Sequence, residues 1–233
     1  MNLPDWWPLD NPYAIMDCLQ GMRFLPDKCV DLVLTDPPYG IGESSKNHLS
    51  RGKHGFGGNR NRMGPGKDYG RYEWDNQRIG KEFFTEMFRI SKEQIIFGGN
   101  YYIDYLKPGP SWIVWDKVNG YRDFADCELA WTSHKKAVRK FKWEWHGMLQ
   151  EDMKNKEERV HPTQKPIPLF VWILENYSQP GDIIIDPFLG SGTTLRACRE
   201  TGRIGLGFEI EKDYESIIKK RMMEDIPSIE KWF

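Results

Sequence analysis

Short apolar runs alternate with helical patterns along this chain, and this alternation is what most constrains its fold. The runs predict seven strands: Ala14–Met16, Val30–Thr35, Gln94–Phe97, Trp112–Trp115, Cys127–Trp131, Asp182–Ile185 and Gly205–Phe208. Amphipathic spacing predicts helices around Phe83–Phe88 and Leu169–Tyr177. A third helix is predicted to start at Gly192 to Thr194 and to run to about Thr201, before Gly202, and a fourth to run from about Asp213 to Met223. Such an order is typical of an α/β fold in which a mostly parallel sheet carries helices on its faces.

Length and composition favour a single domain. The chain has 233 residues, of which 39% are hydrophobic, and these are enough for one sizeable core over 1–233. It has no signal-peptide pattern at its start and no apolar run long enough to cross a bilayer, so we expect a soluble, cytoplasmic protein without a membrane partner. Its cysteines and histidines lack ligand spacing, and no metal site is expected.

Two segments do not fit the alternation. Residues 40–80 are rich in Gly, Asn, Arg and Lys, and we expect a flexible basic loop there. Residues 134–160 have no clear period and begin with a second basic run. Basic runs are often only solvated surface, but they are also what a nucleic-acid partner would contact. The candidate DNA-contacting residues are Lys46, Arg51, Lys53, Arg60, Arg62, Lys135, Lys136, Arg139 and Lys140.

The second predicted strand ends in a tetrapeptide that could carry out chemistry, Asp36, Pro37, Pro38 and Tyr39. Asp-Pro-Pro is also an ordinary turn signal. However, ligands of open α/β sheets gather at the carboxyl ends of strands, where this tetrapeptide lies. An exocyclic amino nitrogen is a poor nucleophile, and two acceptors on its hydrogens would make it more tetrahedral. The Asp36 carboxylate and the Pro37 carbonyl could be those acceptors, and Tyr39 could stack on an extruded base.

A glycine turn follows the sixth predicted strand, from Asp186 through Gly190 and Gly192 to Thr194. Its glycines allow a ligand to approach the backbone, as nucleotide cofactors require. It is not a P-loop, and Leu195 stands where a dinucleotide fingerprint would have its third glycine. Glu209 ends the next strand and could accept the hydroxyls of a ribose, although a helix-capping or surface role is the alternative.

Three motifs together resemble the DNA amino-methyltransferases, the N6-adenine and N4-cytosine enzymes: the Asp36–Tyr39 tetrapeptide, the segment His161–Pro166 and the Phe188–Gly192 turn. The tetrapeptide precedes the cofactor turn, as in the circularly permuted β group of that family. The resemblance extends from Ile15 to Tyr214. It implies a Rossmann-like fold, S-adenosylmethionine as the methyl donor and DNA as the substrate.

The resemblance also implies site residues. The tetrapeptide Asp36, Pro37, Pro38 and Tyr39 would be catalytic, with adenine N6 favoured by Asp before Pro-Pro-Tyr and cytosine N4 the alternative. The residues implied for the cofactor are Asp17, Thr163, Gln164, Lys165, Asp186, Phe188, Gly190, Ser191, Gly192, Thr193 and Glu209. Residues 163–165 could instead be only a proline-framed connector.

Sequence recognition is where the chain departs from the family pattern. Only 27 residues, 134–160, are available for a target-recognition region that is usually larger. We therefore expect a very short recognition sequence or lax methylation, unless a second subunit in a homodimer supplies further contacts. A non-catalytic nucleic-acid-binding module and an NAD-dependent oxidoreductase are competing interpretations, and the sequence does not indicate whether a restriction endonuclease partner exists.

Overall fold

The computed structural model describes residues 4, 5, 7, 11–42, 75–118, 125–146, 149–161 and 163–224. Most of the predicted basic loop at 40–80 therefore lies outside the described residues, together with the candidate DNA contacts Lys46, Arg51, Lys53, Arg60 and Arg62.

The described ranges contain ten strands and five α-helices. The strands are β1 (Tyr13–Ile15), β2 (Val30–Thr35), β3 (Ser91–Phe97), β4 (Trp112–Asp116), β5 (Cys127–Thr132), β6 (Arg139–Lys142), β7 (Trp145–His146), β8 (Leu149–Gln150), β9 (Ile183–Asp186) and β10 (Ile204–Glu209). The helices are α1 (Cys18–Arg23), α2 (Lys81–Ile90), α3 (Ile167–Tyr177), α4 (Thr193–Thr201) and α5 (Glu215–Met223). In these ranges strands and helices alternate along the chain, except where β3 to β8 follow one another without an α-helix between them. All seven predicted strands and all four predicted helices are confirmed.

Eight of these strands form one sheet, in the order β1-β10-β9-β2-β3-β5-β4-β6. All pair in parallel except β5, which is antiparallel to both of its neighbours. The sequence predicted seven strands; the eighth is β6, which lies in the segment that showed no period. It was missed because it is an edge strand with a single buried side chain, Phe141, among charged residues.

The two faces of the sheet carry separate cores. Alternate residues of β2 point to opposite faces, so that Leu32 and Leu34 pack with α3 and α4 whereas Val33 packs with α1 and α2. The result is a three-layer arrangement with the sheet in the middle. In the described part of the chain, no helix is long and apolar enough to cross a membrane.

Glycines set both ends of α4, which follows the cofactor turn. Gly192 precedes the helix with φ +80°. Gly202 ends it with φ +72° and donates its N–H to the Cys198 carbonyl in the last turn. Both are left-handed conformations that glycine adopts without strain. These two positions fix where the helix that follows β9 starts and stops.

Candidate active site

The sheet has a topological switch point between β9 and β2. From β2 the chain crosses over α2 to β3 on one side, and from β9 it crosses over α4 to β10 on the other side. Crevices of this kind, at the carboxyl ends of the strands, are where open α/β sheets bind ligands. A cavity opens at this edge and is lined from both halves of the sheet, by Asp17, Asp36, Pro38, Lys165, Asp186, Phe188, Gly190 and Glu209 among others.

Asp36 lies at the carboxyl end of β2 with only 16% of its side chain exposed. One carboxylate oxygen accepts the Tyr39 hydroxyl and the other pairs with the Lys165 ammonium. Burial raises the pKa of Asp36 above its ordinary value, while Lys165 works in the opposite direction. Burial and the Asp36 charge raise the pKa of Tyr39 in turn, so the phenol keeps its proton and donates it.

The Tyr39 ring is held by the turn that follows β3. It stacks on Tyr101, with 4.8 Å between ring centroids and 14° between planes. Gly98, at φ +63°, lies so close that a Cβ there would overlap the Tyr39 ring. The Tyr102 hydroxyl donates to the Pro38 carbonyl and fixes the tetrapeptide backbone. Gly98 therefore allows the Tyr39 ring to approach, whereas a Cβ at Gly99 would meet Trp131.

Lys165 stands apart from its predicted role, because its ammonium lies on the catalytic side of the cavity. It contacts Asp36 and, at 3.1 Å, a Glu128 carboxylate oxygen. Burial lowers the pKa of Lys165, but Asp36 and Glu128 outweigh it and raise that pKa above its usual range. The ammonium is therefore charged at neutral pH and balances two carboxylates.

Asp186 ends β9 and ties the cofactor turn to its surroundings. Its carboxylate accepts the hydroxyls of Thr35, at 2.6 Å, and Thr194, at 2.5 Å, and the Phe188 N–H at 3.0 Å. Burial raises the pKa of Asp186 to about 6. These bonds join β2, the turn and the start of α4, so Asp186 shapes the cavity as well as lining it.

Glu209 lies at the end of β10, is 7% exposed and lines the same cavity. Its two oxygens accept the N–H groups of Gly190, at 2.6 Å, and Glu211, at 2.8 Å. Burial raises the pKa of Glu209 to about 7. The alternative of a surface residue is wrong, since this carboxylate is buried beside the turn.

The other predicted cofactor residues divide into two groups, because Gly192 does not line the cavity whereas Asp17, Thr163, Gln164, Phe188, Ser191 and Thr193 do. Asp17 lines the cavity and also caps α1 by accepting the Gln20 N–H at 2.9 Å, so its two interpretations are compatible. Gly192 does not line the cavity, and a Cβ there would face Ile218 at 3.5 Å. Glycine is required at 192 by the left-handed turn, and the expected approach of a ligand to its backbone is not what the structure shows.

The remaining predicted residues are held by their own framework. Ser191 accepts the Arg221 guanidinium at 2.9 Å, and the Thr193 hydroxyl lies 3.4 Å from the Lys165 carbonyl. Gln164 accepts the Val160 N–H at 2.8 Å and donates to the Glu158 carbonyl at 3.3 Å, and it also lines the cavity, so its two interpretations are compatible. Thr163 lies 3.2 Å from the His161 ring nitrogen Nδ1.

The second basic run lies mostly away from the cavity, and its predicted contact with DNA stays a prediction. β6 is parallel to β4. In the strand register Lys142 lies opposite Asp116 at the catalytic edge, whereas Arg139 lies opposite Ile113, about 10 Å back along the strand. The Lys136 ammonium donates to the Asn176 carbonyl at the far end of α3. Lys135, Lys136 and Arg139 thus lie toward the edge opposite the cavity, because a strand, not a loop at the site, carries the run. Lys140 pairs with Asp116 at 3.4 Å.

The sequence did not indicate two residues that are connected to Asp36 through Lys165. Glu128 and Lys117 lie at the catalytic end of β5 and just after β4, and they form an ion pair with each other. Since β5 is antiparallel, its first residues reach the edge where β4 ends, and that register is the signal that could have found them. Among the described residues, no group of three or more His, Cys, Asp or Glu side chains could hold a metal ion.

Comparison with known proteins gives a consistent picture. A family model described as DNA methylase matches residues 116–220. The type II methyltransferase M.HpaI of Haemophilus parainfluenzae is 27% identical over 259 residues, which cover 92% of this chain and 74% of that protein.

Two solved structures share the fold over most of their length. The M1.HpyAVI–SAM complex has a TM-score of 0.54 and 24% identity, and the match covers 90% of this chain and 98% of that one. The PvuII DNA methyltransferase, described as cytosine-N4-specific, has a TM-score of 0.58 and 15% identity, with 94% and 89% covered. The fold is that of the S-adenosylmethionine-dependent DNA methyltransferases, and the sequence matches support an enzyme of the DNA amino-methyltransferase class.

Proposed function

We propose that this chain is a DNA methyltransferase that transfers a methyl group from S-adenosylmethionine to the exocyclic amino group of a base flipped out of the duplex, and that this group is adenine N6. One observation carries the proposal. A single cavity brings the Asp36 carboxylate of one half-sheet together with the Phe188–Gly190 turn and the Glu209 carboxylate of the other half.

The cofactor half of the cavity has the chemistry that S-adenosylmethionine needs. The buried Glu209 carboxylate is a suitable acceptor for ribose hydroxyls. Gly190, at φ +54°, lines the cavity without a side chain and so leaves room for a ligand. Phe188 and Ile210 supply apolar surface for an adenine ring, and Asp17 lies beside them as an acceptor. S-adenosylmethionine would supply an electrophilic methyl group on a sulfonium.

The catalytic half would activate the amino group by hydrogen bonding. Asp36 accepts one amino hydrogen and the Pro37 carbonyl accepts the other, which localises the nitrogen lone pair. Tyr39 holds the Asp36 carboxylate through its hydroxyl, and a base would stack on the ring face that is turned away from Tyr101. After methyl transfer the nitrogen must lose a proton, and burial makes Asp36 a better proton acceptor than an exposed aspartate.

Cytosine N4 is the second candidate, because the PvuII enzyme, whose fold this chain shares, is described as cytosine-N4-specific. Both amino groups need the same pair of acceptors, so the distinction depends on how the ring is held. Methylating DNA with the purified protein, digesting it to nucleosides and identifying the product by mass separates the two. The same assay excludes a non-catalytic binding module if either product forms, and NAD binding in place of S-adenosylmethionine would favour an oxidoreductase.

The proposal limits how DNA is recognised. The described part of 134–160 consists of β6, the short β7–β8 hairpin and connecting turns, and little of it faces the cavity. Few side chains could therefore be held against base edges, each contributing about 1 to 3 kcal/mol of discrimination. We keep the proposal of a short recognition sequence or lax methylation, and mapping methylated positions over a genome tests it.

A further inference from the structure

A chain of four alternating charges extends from the cavity along the catalytic edge of the sheet. Asp36 pairs with Lys165, Lys165 pairs with Glu128 at 3.1 Å, and Glu128 pairs with Lys117. The exposed fractions of these side chains are only 16%, 7%, 22% and 20%. We call this set the buried charge chain.

Four separate elements supply the members of the buried charge chain. Asp36 follows β2, Lys165 precedes α3, Glu128 is in β5 and Lys117 follows β4. Glu128 is opposite Trp115 in the β4–β5 register, and the Lys117 ammonium lies 4.9 Å from the centre of the Trp115 ring. Lys165 also lies 5.3 Å from the centre of the Phe97 ring. An aromatic ring therefore lies against each of the two ammonium groups and shields it in part from water.

Glu128 itself does not line the cavity, whereas Asp36 and Lys165 do. A buried ion pair usually contributes little net stability, because desolvation offsets the attraction between the charges. Folding therefore gives little reason for a second carboxylate behind Lys165. The arrangement matters for Asp36, whose two oxygens are already bonded to Tyr39 and Lys165 and must still receive an amino hydrogen.

We propose that Glu128 is a positioning residue for methyl transfer: by giving the Lys165 ammonium a second carboxylate partner, it allows an Asp36 oxygen to accept the target amino group. The Lys165 ammonium then moves from Asp36 toward Glu128 as the base enters. Without Glu128, the ammonium has Asp36 as its one carboxylate partner among these contacts, and the amino group must compete with a complete ion pair. This inference rests on the function proposed above.

The electrostatics agree with this geometry. Burial alone would raise the pKa of Glu128, but Lys165 and Lys117 outweigh it and lower that pKa to about 2. Glu128 therefore stays ionised, and its negative charge contributes to the raised pKa of Asp36.

Other titratable groups also face the buried charge chain. Tyr39 and Tyr102 lie near Asp36. The charge of Asp36 raises the pKa of Asp186, and the charge of Lys165 lowers the pKa of His161. The His161 pKa is lowered to about 3 by burial and by nearby cations, so this ring stays neutral over the working pH range. A pH dependence that Glu128→Gln alters therefore belongs to the cavity carboxylates Asp36, Asp186 or Glu209, whose pKa values are raised by burial, and not to His161.

Glu128→Gln tests the proposal, with Glu200→Gln as the matched control. Glu200 is also a buried glutamate in an ion pair, with Arg196 at 2.6 Å, but it does not line the cavity or contact the buried charge chain. We expect Glu128→Gln to lower kcat at least tenfold while the S-adenosylmethionine KM stays within twofold, and to move the acid limb of the kcat–pH profile to lower pH, because removing a neighbouring negative charge lowers the Asp36 pKa. Glu200→Gln should leave both unchanged.

A double-mutant cycle and a titration complete the test. In a Lys165→Gln background, Glu128→Gln should change kcat less than twofold, since its partner is gone. In the DNA-free protein, titration of the ¹³C-labelled Asp36 carboxyl by NMR should show a lower pKa in Glu128→Gln than in the wild type. A kcat within twofold of wild type, or an unmoved Asp36 titration, overturns the proposal. If wild-type protein methylates no DNA, the proposed function fails, and the titration still decides whether Glu128 acts on Asp36.

Discussion

Glu209 makes the proposed cofactor site sensitive to pH. Its pKa of about 7 lies well above that of an exposed glutamate, because the carboxylate is buried beside the Gly190 turn. In the proposed site the ribose hydroxyls would donate to the ionised carboxylate, so we expect binding to require that Glu209 loses its proton. The free protein has about nine tenths of Glu209 ionised at pH 8 and about one tenth at pH 6. S-adenosylmethionine affinity should therefore fall about tenfold from pH 8 to pH 6, which corresponds to about 1.4 kcal/mol.

Isothermal calorimetry without DNA measures this directly, in wild type, Glu209→Gln and Glu200→Gln. The glutamine keeps the size of the side chain but cannot ionise, so Glu209→Gln should bind more weakly at pH 8 and show little change between pH 7 and 8. Any slope that it retains near pH 6 belongs to Asp186, whose pKa is raised by burial to about 6. Glu200→Gln should behave as the wild type. A wild-type affinity that is constant from pH 6 to 8, or a Glu209→Gln affinity equal to that of the wild type at pH 8, would refute the assignment of Glu209 to the ribose.

Three further substitutions test the catalytic half and the DNA contacts. Asp36→Ala should lower kcat by a factor of a hundred or more, about 3 kcal/mol, with S-adenosylmethionine affinity within twofold, because one acceptor of the amino group is lost; more than a tenth of wild-type rate in a single-turnover assay contradicts this. Gly98→Ala should lower kcat through displacement of the Tyr39 ring, which a Cβ at 98 would overlap. A crystal structure of the variant should show that the ring has moved, and an unchanged kcat argues against a catalytic position for the ring. Lys136→Ala should leave DNA affinity within twofold in a fluorescence anisotropy titration, because this ammonium lies toward the opposite edge of the sheet; a loss of tenfold would place DNA there.

Local patterns predicted the strands and helices because each has a period that its own residues set. Val30–Thr35 is apolar throughout because β2 is central in the sheet, and α4 begins and ends at glycines. β6 was missed because one apolar side chain among cations gives no period. The difference is physical: an edge strand is stabilised by its neighbour β4, and the sequence of the strand itself carries little of that information.

The same contrast applies to the site. The positions of Asp36 and Glu209 could be predicted from the sequence because each lies where a predicted strand ends. The pairing of Lys165 with Asp36, 129 positions away, could not, because it depends on the order of strands in the sheet and on the turn before α3. Glu128 was invisible for the same reason, since only the antiparallel direction of β5 brings it to the catalytic edge.

The central claim is that this cavity methylates an amino group of a DNA base. Incubating purified protein with unmethylated DNA and isotopically labelled S-adenosylmethionine, digesting the DNA to nucleosides and weighing the labelled product tests that claim most directly. The account predicts labelled N6-methyldeoxyadenosine with wild-type protein and about a hundredfold less with Asp36→Ala. Labelled N4-methyldeoxycytidine would contradict the choice of adenine, and the absence of any labelled base, or equal label with Asp36→Ala, would contradict the account itself.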